Sequence, residues 1–195
     1  MTRSGDNAVL PVAVSGRHVH LSREDCELLF GPDHELIRSR DVTQPGQYAC
    51  VEAVSVVGPA ATLEQVAVVG PLRAQTQVEL SRTDAIRIGV DPPVRESGHL
   101  ANTPGVILRG PRGSVELRQG AIVALRHLHA TPEDARRLGL RDGAHISVRV
   151  RGPRALVFED VVVRVSPSFK LDVHLDTDEA NAAGVERGGT CEIVA

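Results

Sequence analysis

The sequence predicts a mainly β protein: two small β-barrel domains with short capping helices, formed by related halves of a chain of 195 residues. Three observations carry this. Runs of Val, Ile and Leu alternating with polar residues dominate the chain and read as strands. The helical stretches are few and short, which suits small barrels better than helices layered on a parallel sheet. Two copies of the pattern Arg-His-apolar-His-x-[Ser/Thr]-x-Glu-Asp, Arg17 to Asp25 and Arg126 to Asp134, stand 109 positions apart and read as a pseudo-twofold internal repeat.

Taken in order, strands are expected at Val9–Ser15, Cys50–Val57, Gln65–Val69, Gln77–Leu80, Gly105–Leu108, Ser114–Leu117, Ala121–Arg126, His145–Val150, Leu156–Val165, Lys170–Leu175 and Cys191–Val194. Gly-Pro pairs at Gly58, Gly70, Gly110 and Gly152 punctuate them as turns. Helices are expected at Arg23–Phe30, Arg82–Ile88, Pro132–Leu138 and Thr177–Ala183. Each follows an N-cap residue (Ser22, Ser81, Thr131 or Asp176) with an acid three positions on: Asp25, Asp84, Asp134 or Glu179. Gly89, Gly139 and Gly184 stand eight positions after their caps, where a helix end favours glycine. The polar, Gly- and Pro-rich stretch from Asp91 to Gly98, running on to Gly105, is either a plain connector or a substrate-binding loop.

The chemistry lies just before the caps. Arg17-His-Val-His-Leu-Ser22 is matched by Thr76-Gln-Val-Glu-Leu-Ser81, Arg126-His-Leu-His-Ala-Thr131 and Leu171-Asp-Val-His-Leu-Asp176. Two residues before each cap stands His20, Glu79, His129 or His174; two before that stands His18, Gln77, His127 or Asp172. Residues i and i+2 of a strand share a face, roughly 6–7 Å apart. Five of these eight residues are His and one is Glu, which points to a metal site, dinuclear in kind. Duplication of a strand-to-helix turn would keep caps and apolar positions; it need not keep four imidazoles. His34, His99 and His145 fall outside the pattern and read as surface residues. Imidazole beside carboxylate makes zinc the first choice. Six protein ligands are too few to close two tetrahedral sites, so open positions remain, as a catalytic metal needs.

Composition excludes other classes. The net charge of −3 gives no general attraction to nucleic acid, and one Tyr, three Phe and no Trp leave little for bases to stack on. No apolar stretch approaches the roughly 20 residues that span a bilayer. Met1 to Asn7 has no apolar core of a secretory signal. Cys26, Cys50 and Cys191 are odd in number and widely spaced, neither a zinc knuckle nor a disulfide framework. A cytoplasmic protein is expected, with no nucleic-acid or membrane partner; a homo-oligomer is compatible with all of this.

Several runs resemble the PduL-type phosphotransacylases, the phosphate propanoyltransferases of bacterial diol-utilising microcompartments and their cytosolic relatives. They are Val14–Ser22, Gly70–Ser81, Pro93–Gly98, Arg126–His129 and His174–Gly184, and the resemblance covers about residues 9 to 195 in order and spacing. It implies two β-barrels: one over residues 17–124, the other over 125–195 and completed by an N-terminal strand of about residues 8–16. It implies two zinc ions per chain, one on His18, His20 and Glu79, the other on His127, His129 and His174, with Gln77 and Asp172 outside the ligand sets. It makes Arg73, otherwise readable as a solvated arginine after a turn, the catalytic phosphate-binding residue. His99 stands where the family usually has an acid, which leaves contacts of that loop open. The short polar lead before the first strand argues against encapsulation in a microcompartment.

The implied reaction joins acyl-CoA (propanoyl or acetyl) and phosphate to give acyl phosphate and CoA, with coenzyme A as substrate and zinc as cofactor. Direct transfer is expected, since no Ser-His-Asp or reactive-Cys arrangement is evident. Asp172 either orients a ligand histidine or makes a plain salt bridge. Two rival readings are a cupin-like mononuclear metal oxygenase, suggested by His18, His20 and Glu24, and a non-catalytic zinc-binding barrel.

Overall fold

The computed structural model describes residues 8–186 and 188–194; Met1 to Asn7, read above for a signal segment, lies outside them. In chain order the elements are β1 (Val9–Ser15), β2 (His18–His20), α1 (Arg23–Phe30), β3 (Arg38–Asp41), β4 (Tyr48–Val57), β5 (Thr62–Gly70), β6 (Gln77–Leu80) and α2 (Arg82–Ile88). There follow β7 (Val94–Arg95), β8 (Ile107–Arg109), β9 (Ser114–Glu116), β10 (Ala121–Ala124), β11 (His127–Ala130) and α3 (Pro132–Leu138). The chain ends with β12 (His145–Val150), β13 (Leu156–Val165), β14 (Asp172–Asp176), α4 (Thr177–Ala183) and β15 (Thr190–Val194). The described residues form two compact units: 16–125, and 8–15 together with 126–186 and 188–194.

The second unit is a closed barrel in the order β1-β14-β11-β13-β12-β15. The first strand β1 lies parallel to β14 and antiparallel to the last strand β15, so the first and last strands meet in one sheet. Leu10, Leu128, Val148, Val161, Val163, Val173 and Leu175 fill it. The first unit is mainly β but remains open, a curled nine-stranded sheet in the order β7-β10-β6-β2-β5-β4-β8-β9, with β3 paired to β4. Its core is also aliphatic: Val19, Leu21, Leu29, Val56, Val68, Val78, Ile88 and Leu108 are among its buried residues.

The repeat is visible in the pairing. β2 lies between parallel β5 and antiparallel β6, and β6 is parallel to β10. In the second unit β11 lies between parallel β13 and antiparallel β14, and β14 is parallel to β1. The four-strand pattern is the same in both units, and in each its central antiparallel pair carries the His-x-His motif.

All four helices occupy the spans their sequence signals indicate. Ser22, Ser81, Thr131 and Asp176 each accept the amide of the residue three positions on. The reciprocal half of the box forms at Thr131–Asp134 and Asp176–Glu179. Asp25 instead accepts from the Thr76 hydroxyl, and Asp84 accepts from Arg17. Gly89, Gly139 and Gly184 end their helices in the left-handed conformation, with φ of 79°, 67° and 66°.

His99 and His145 are exposed, as their position outside the pattern suggests. His34 is not a plain surface residue. Its Nε2 lies 2.7 Å from buried Glu52, and its ring stacks on Phe30 at 5.1 Å. Among the described residues no helix is long and apolar enough to cross a membrane.

Two of the Gly-Pro turns close directly on helix ends. A Cβ at Gly58 would stand 2.2 Å from the carbonyl oxygen of Ile88, and one at Gly110 would stand 2.5 Å from that of Leu29. Gly58→Ala is therefore expected to destabilise the protein by about 1–3 kcal/mol, the usual cost of overpacking, read as a lowered urea midpoint. An unchanged midpoint would show that the turn relaxes freely.

Candidate metal centre

Alternation along the central strands places the site. Val19 and Val78, and in the other unit Leu128 and Val173, are fully buried in their cores. The residues flanking them therefore share the opposite face. Antiparallel register sets His18 across from Glu79 and His20 across from Gln77. In the second unit it sets His127 across from His174 and His129 across from Asp172.

Two groups of donors result. His18, His20 and Glu79 offer ligand atoms all within 4.8 Å of one another, and so do His127, His129 and His174. In the first group the ring orientations are fixed by the backbone. His18 Nδ1 lies 2.9 Å from the Gly16 carbonyl oxygen, and His20 Nδ1 lies 2.8 Å from that of Val69. A carbonyl only accepts, so both Nδ1 atoms carry the proton and both Nε2 lone pairs face inward. The two Nε2 atoms stand 3.1 Å apart, with Glu79 Oε2 at 3.5 Å from His18 and Oε1 at 3.9 Å from His20.

Two facing lone pairs at that distance repel unless a proton or a metal cation lies between them. Corners of a tetrahedron around zinc, with bonds of about 2.0–2.1 Å, lie about 3.3 Å apart. The donor set therefore fits three corners and leaves a fourth open.

Electrostatics favour the ligating forms. Burial, with His18 and Arg73 nearby, pushes the His20 imidazole down to about 3 and keeps it neutral. Burial alone would raise the Glu79 carboxyl. The neighbouring His18 and His20 rings, the Ser97 hydroxyl and Arg73 outweigh it and hold Glu79 down at about 2. Burial also lowers His129, against the pull of Asp172.

The neighbours of the two groups differ. Glu79 Oε1 accepts from Gln77 Nε2 at 2.5 Å and from the Ser97 hydroxyl at 3.0 Å. Ser97 in turn accepts from Gln77 at 2.8 Å and from Arg73 at 2.9 Å. The Gln77 carbonyl accepts the Gly98 amide at 2.7 Å. Arg73 is half-buried, and its own amide donates to Leu21 at 2.8 Å, which holds it beside β2. In the second group Asp172 Oδ1 lies 3.3 Å from His129 Nδ1 and 3.0 Å from His174 Nε2, and the Ser15 hydroxyl lies 3.3 Å from His174 Nδ1.

The structure thus gathers Arg73, His18, His20 and Glu79 in one neighbourhood and His127, His129 and His174 in another. Sequence reasoning did not single out Ser97 or Ser15. The signal for Ser97 was its place in the Gly- and Pro-rich loop. That loop is tied to Glu79 through Ser97 and to Gln77 through Gly98, so it is more than a connector. His99, in the same loop, is exposed and lies 3.4 Å from Glu96.

A family model described as phosphate propanoyltransferase matches residues 11–186. A phosphate propanoyltransferase of Thermotoga maritima is 52% identical over 94% of this chain and 88% of its own length. One of Listeria monocytogenes is 49% identical over 94% of this chain and 86% of its own. One of Clostridioides difficile is 45% identical over 100% of this chain and 93% of its own. With a match of that length and relatives sharing about half its residues over nearly the whole chain, the protein belongs to the phosphate propanoyltransferase family and is an acyltransferase enzyme.

Proposed function

We propose that the protein is a zinc-dependent phosphate acyltransferase that interconverts a short-chain acyl-CoA, propanoyl or acetyl, and phosphate with the acyl phosphate and CoA. The observation that carries this reading is the pair of three-donor groups at equivalent places in two copies of one strand pattern. A cupin-like oxygenase would leave the second group unused. A structural zinc barrel would close its metal with a fourth protein ligand.

In the forward direction a phosphate oxygen adds to the thioester carbonyl, the carbon–sulfur bond breaks, and CoA leaves as the thiolate. Zinc, when bound, supplies Lewis acidity toward phosphate or carbonyl oxygen and a soft partner for sulfur. The residues supply the rest. His18 and His20 are held in one tautomer by Gly16 and Val69 and present Nε2. Gln77 and Ser97 hold the Glu79 carboxylate in one orientation. Asp172 steadies His129 through Nδ1. Arg73, aimed by Ser97, takes the phosphate with its planar fork of donors.

Direct transfer is supported by the cysteines. All three are buried, and burial pushes Cys50 up to about 11 and Cys191 up to about 12, so neither is poised as a nucleophile. We assign a cytoplasmic location on the same reading.

Elemental analysis of the purified chain is expected to give two zinc ions. A chain with one metal or none that retains full activity would overturn the proposal.

Arg73→Ala is expected to raise KM for phosphate about 10–100-fold, the loss of one charge-assisted contact, with far less effect on acyl-CoA and none on zinc content. Equal loss on both substrates would make Arg73 structural.

His127→Ala should strip one zinc. Gln77→Ala should keep both, because an amide oxygen is a poor zinc ligand beside imidazole. Asp172→Asn should keep both and lose about 10–100-fold in phosphate-dependent thioester cleavage, the usual cost of removing a partner of a ligand histidine. Zinc loss from Gln77→Ala with none from His127→Ala would show that the ligand sets are wrongly drawn.

A further inference from the structure

Each His-x-His motif is preceded immediately by an arginine, and in both units that arginine reaches the same structural target. Arg17 NH1 donates to Asp84 Oδ1 at 2.8 Å. Asp84 is the third residue of α2, the helix that follows the strand bearing Glu79. Arg126 NH1 donates to Glu179 Oε1 at 2.9 Å. Glu179 is the third residue of α4, the helix that follows the strand bearing His174. The acid differs between the units, and the position does not.

A solvated ion pair is the plain reading of one such contact. Two facts argue against it for the pair. The acceptors are well covered, with side chains 10% and 21% exposed. Asp84 serves Arg17 where Asp134 completes its own capping box, so the carboxylate has been turned from its local helical role toward the motif strand. Glu179 does both, accepting Asp176 N through Oε2 at 3.1 Å and Arg126 through Oε1. Arg126 is pinned further by donating Nε to the Glu159 carbonyl at 2.7 Å and lying over Phe158 at 5.7 Å.

We infer that Arg17 and Arg126 are positioning residues, each locking the strand that carries two donors of its group to the helix that follows the strand carrying the third. His18 lies directly across from Glu79, and His127 across from His174, one residue from each arginine. Each arginine therefore closes a ring of strand, facing strand and helix around the point where the three donors converge. Its loss lets the third donor shift and weakens only the group in its own unit. The inference rests on the proposal that these groups hold metal.

The test is zinc retention against a graded chelator in the intact protein, with Arg17→Gln, Arg126→Gln, Arg17→Lys and Asp84→Asn beside the parent. Thermal melting of the metal-free proteins reports folding. Each Gln variant is expected to release one of its two zincs at about 10-fold lower chelator, by analogy with lost partners of metal ligands, while the other zinc is held as in the parent. Arg17→Lys should recover part of the loss, and Asp84→Asn should reproduce that of Arg17→Gln, with no further loss in the double variant. Combining Arg17→Gln with His127→Ala should weaken the remaining zinc; combining Arg126→Gln with His127→Ala should not. Unchanged zinc release with only a lowered melting temperature would overturn the inference, leaving the arginines as ordinary stabilising contacts. A variant too unfolded to assay is replaced by its Lys counterpart. A parent that holds no zinc would instead overturn the proposed function, a separate and recognisable failure.

Discussion

A slip of one residue between β2 and β6, or between β11 and β14, would send the imidazoles into an aliphatic core and turn Val19 or Leu128 outward. The period of a strand is two, so register and face cannot be separated. Val19, Val78, Leu128 and Val173 are fully buried, and burial of such side chains is worth about 1.5–3 kcal/mol each. That energy sets the register, and the register sets His18 across from Glu79 and His127 across from His174. The donor groups are thus a consequence of core packing one residue away. A mutation that loosens Val19 acts on the donors without touching them.

Convergence of polar groups on a buried face costs desolvation unless each is partnered. The first unit meets this with fixed roles. Gly16 and Val69 accept the Nδ1 protons of His18 and His20, and Glu79 accepts from Gln77 and Ser97. Every donor atom is oriented before any ligand arrives. The residues opposite and beside the donors are as specific as the donors. Gln77, at 1% exposure, could only be an amide here: it must give an N–H to Glu79 and accept one from Gly98.

The helices were legible to the residue because their ends carry local chemistry: a hydroxyl or carboxylate cap, an acid at the third position, and glycine at all four C-termini. Strand ends have no such marks. The Cys50 strand begins two residues earlier at Tyr48, and the Gln65 strand three earlier at Thr62. The strand Arg38–Asp41 escaped notice because it is wholly exposed and has no alternation; only its backbone pairing to β4 makes it a strand. The donors were legible because a repeat of rare residues is visible in one dimension. Ser97 was not, since a single serine in a polar loop has no signature until folding brings it against Glu79. Whether the first sheet closes was also invisible, because closure depends on strand tilt and stagger.

The two groups are similar in net charge and different in its placement. Near the first stand one carboxylate, Glu79, and one guanidinium, Arg73, whose charge lowers His20 and helps ionise Glu79. Near the second stand Asp172 and Arg164. Arg164 sits opposite His129 on β13, and its charge lowers that imidazole. In the first group the carboxylate is itself a donor and would neutralise half the charge of a bound dication. In the second the carboxylate, Asp172, contacts two of the imidazoles, His129 and His174, and three neutral donors would leave a bound dication its full charge. A dication on His127, His129 and His174 would therefore be the stronger Lewis acid and the stronger attractor of anions. One on His18, His20 and Glu79 would depend on Arg73 for the same attraction. That dependence is a physical reason for an arginine tethered through Ser97 to occur beside the donor group that contains Glu79.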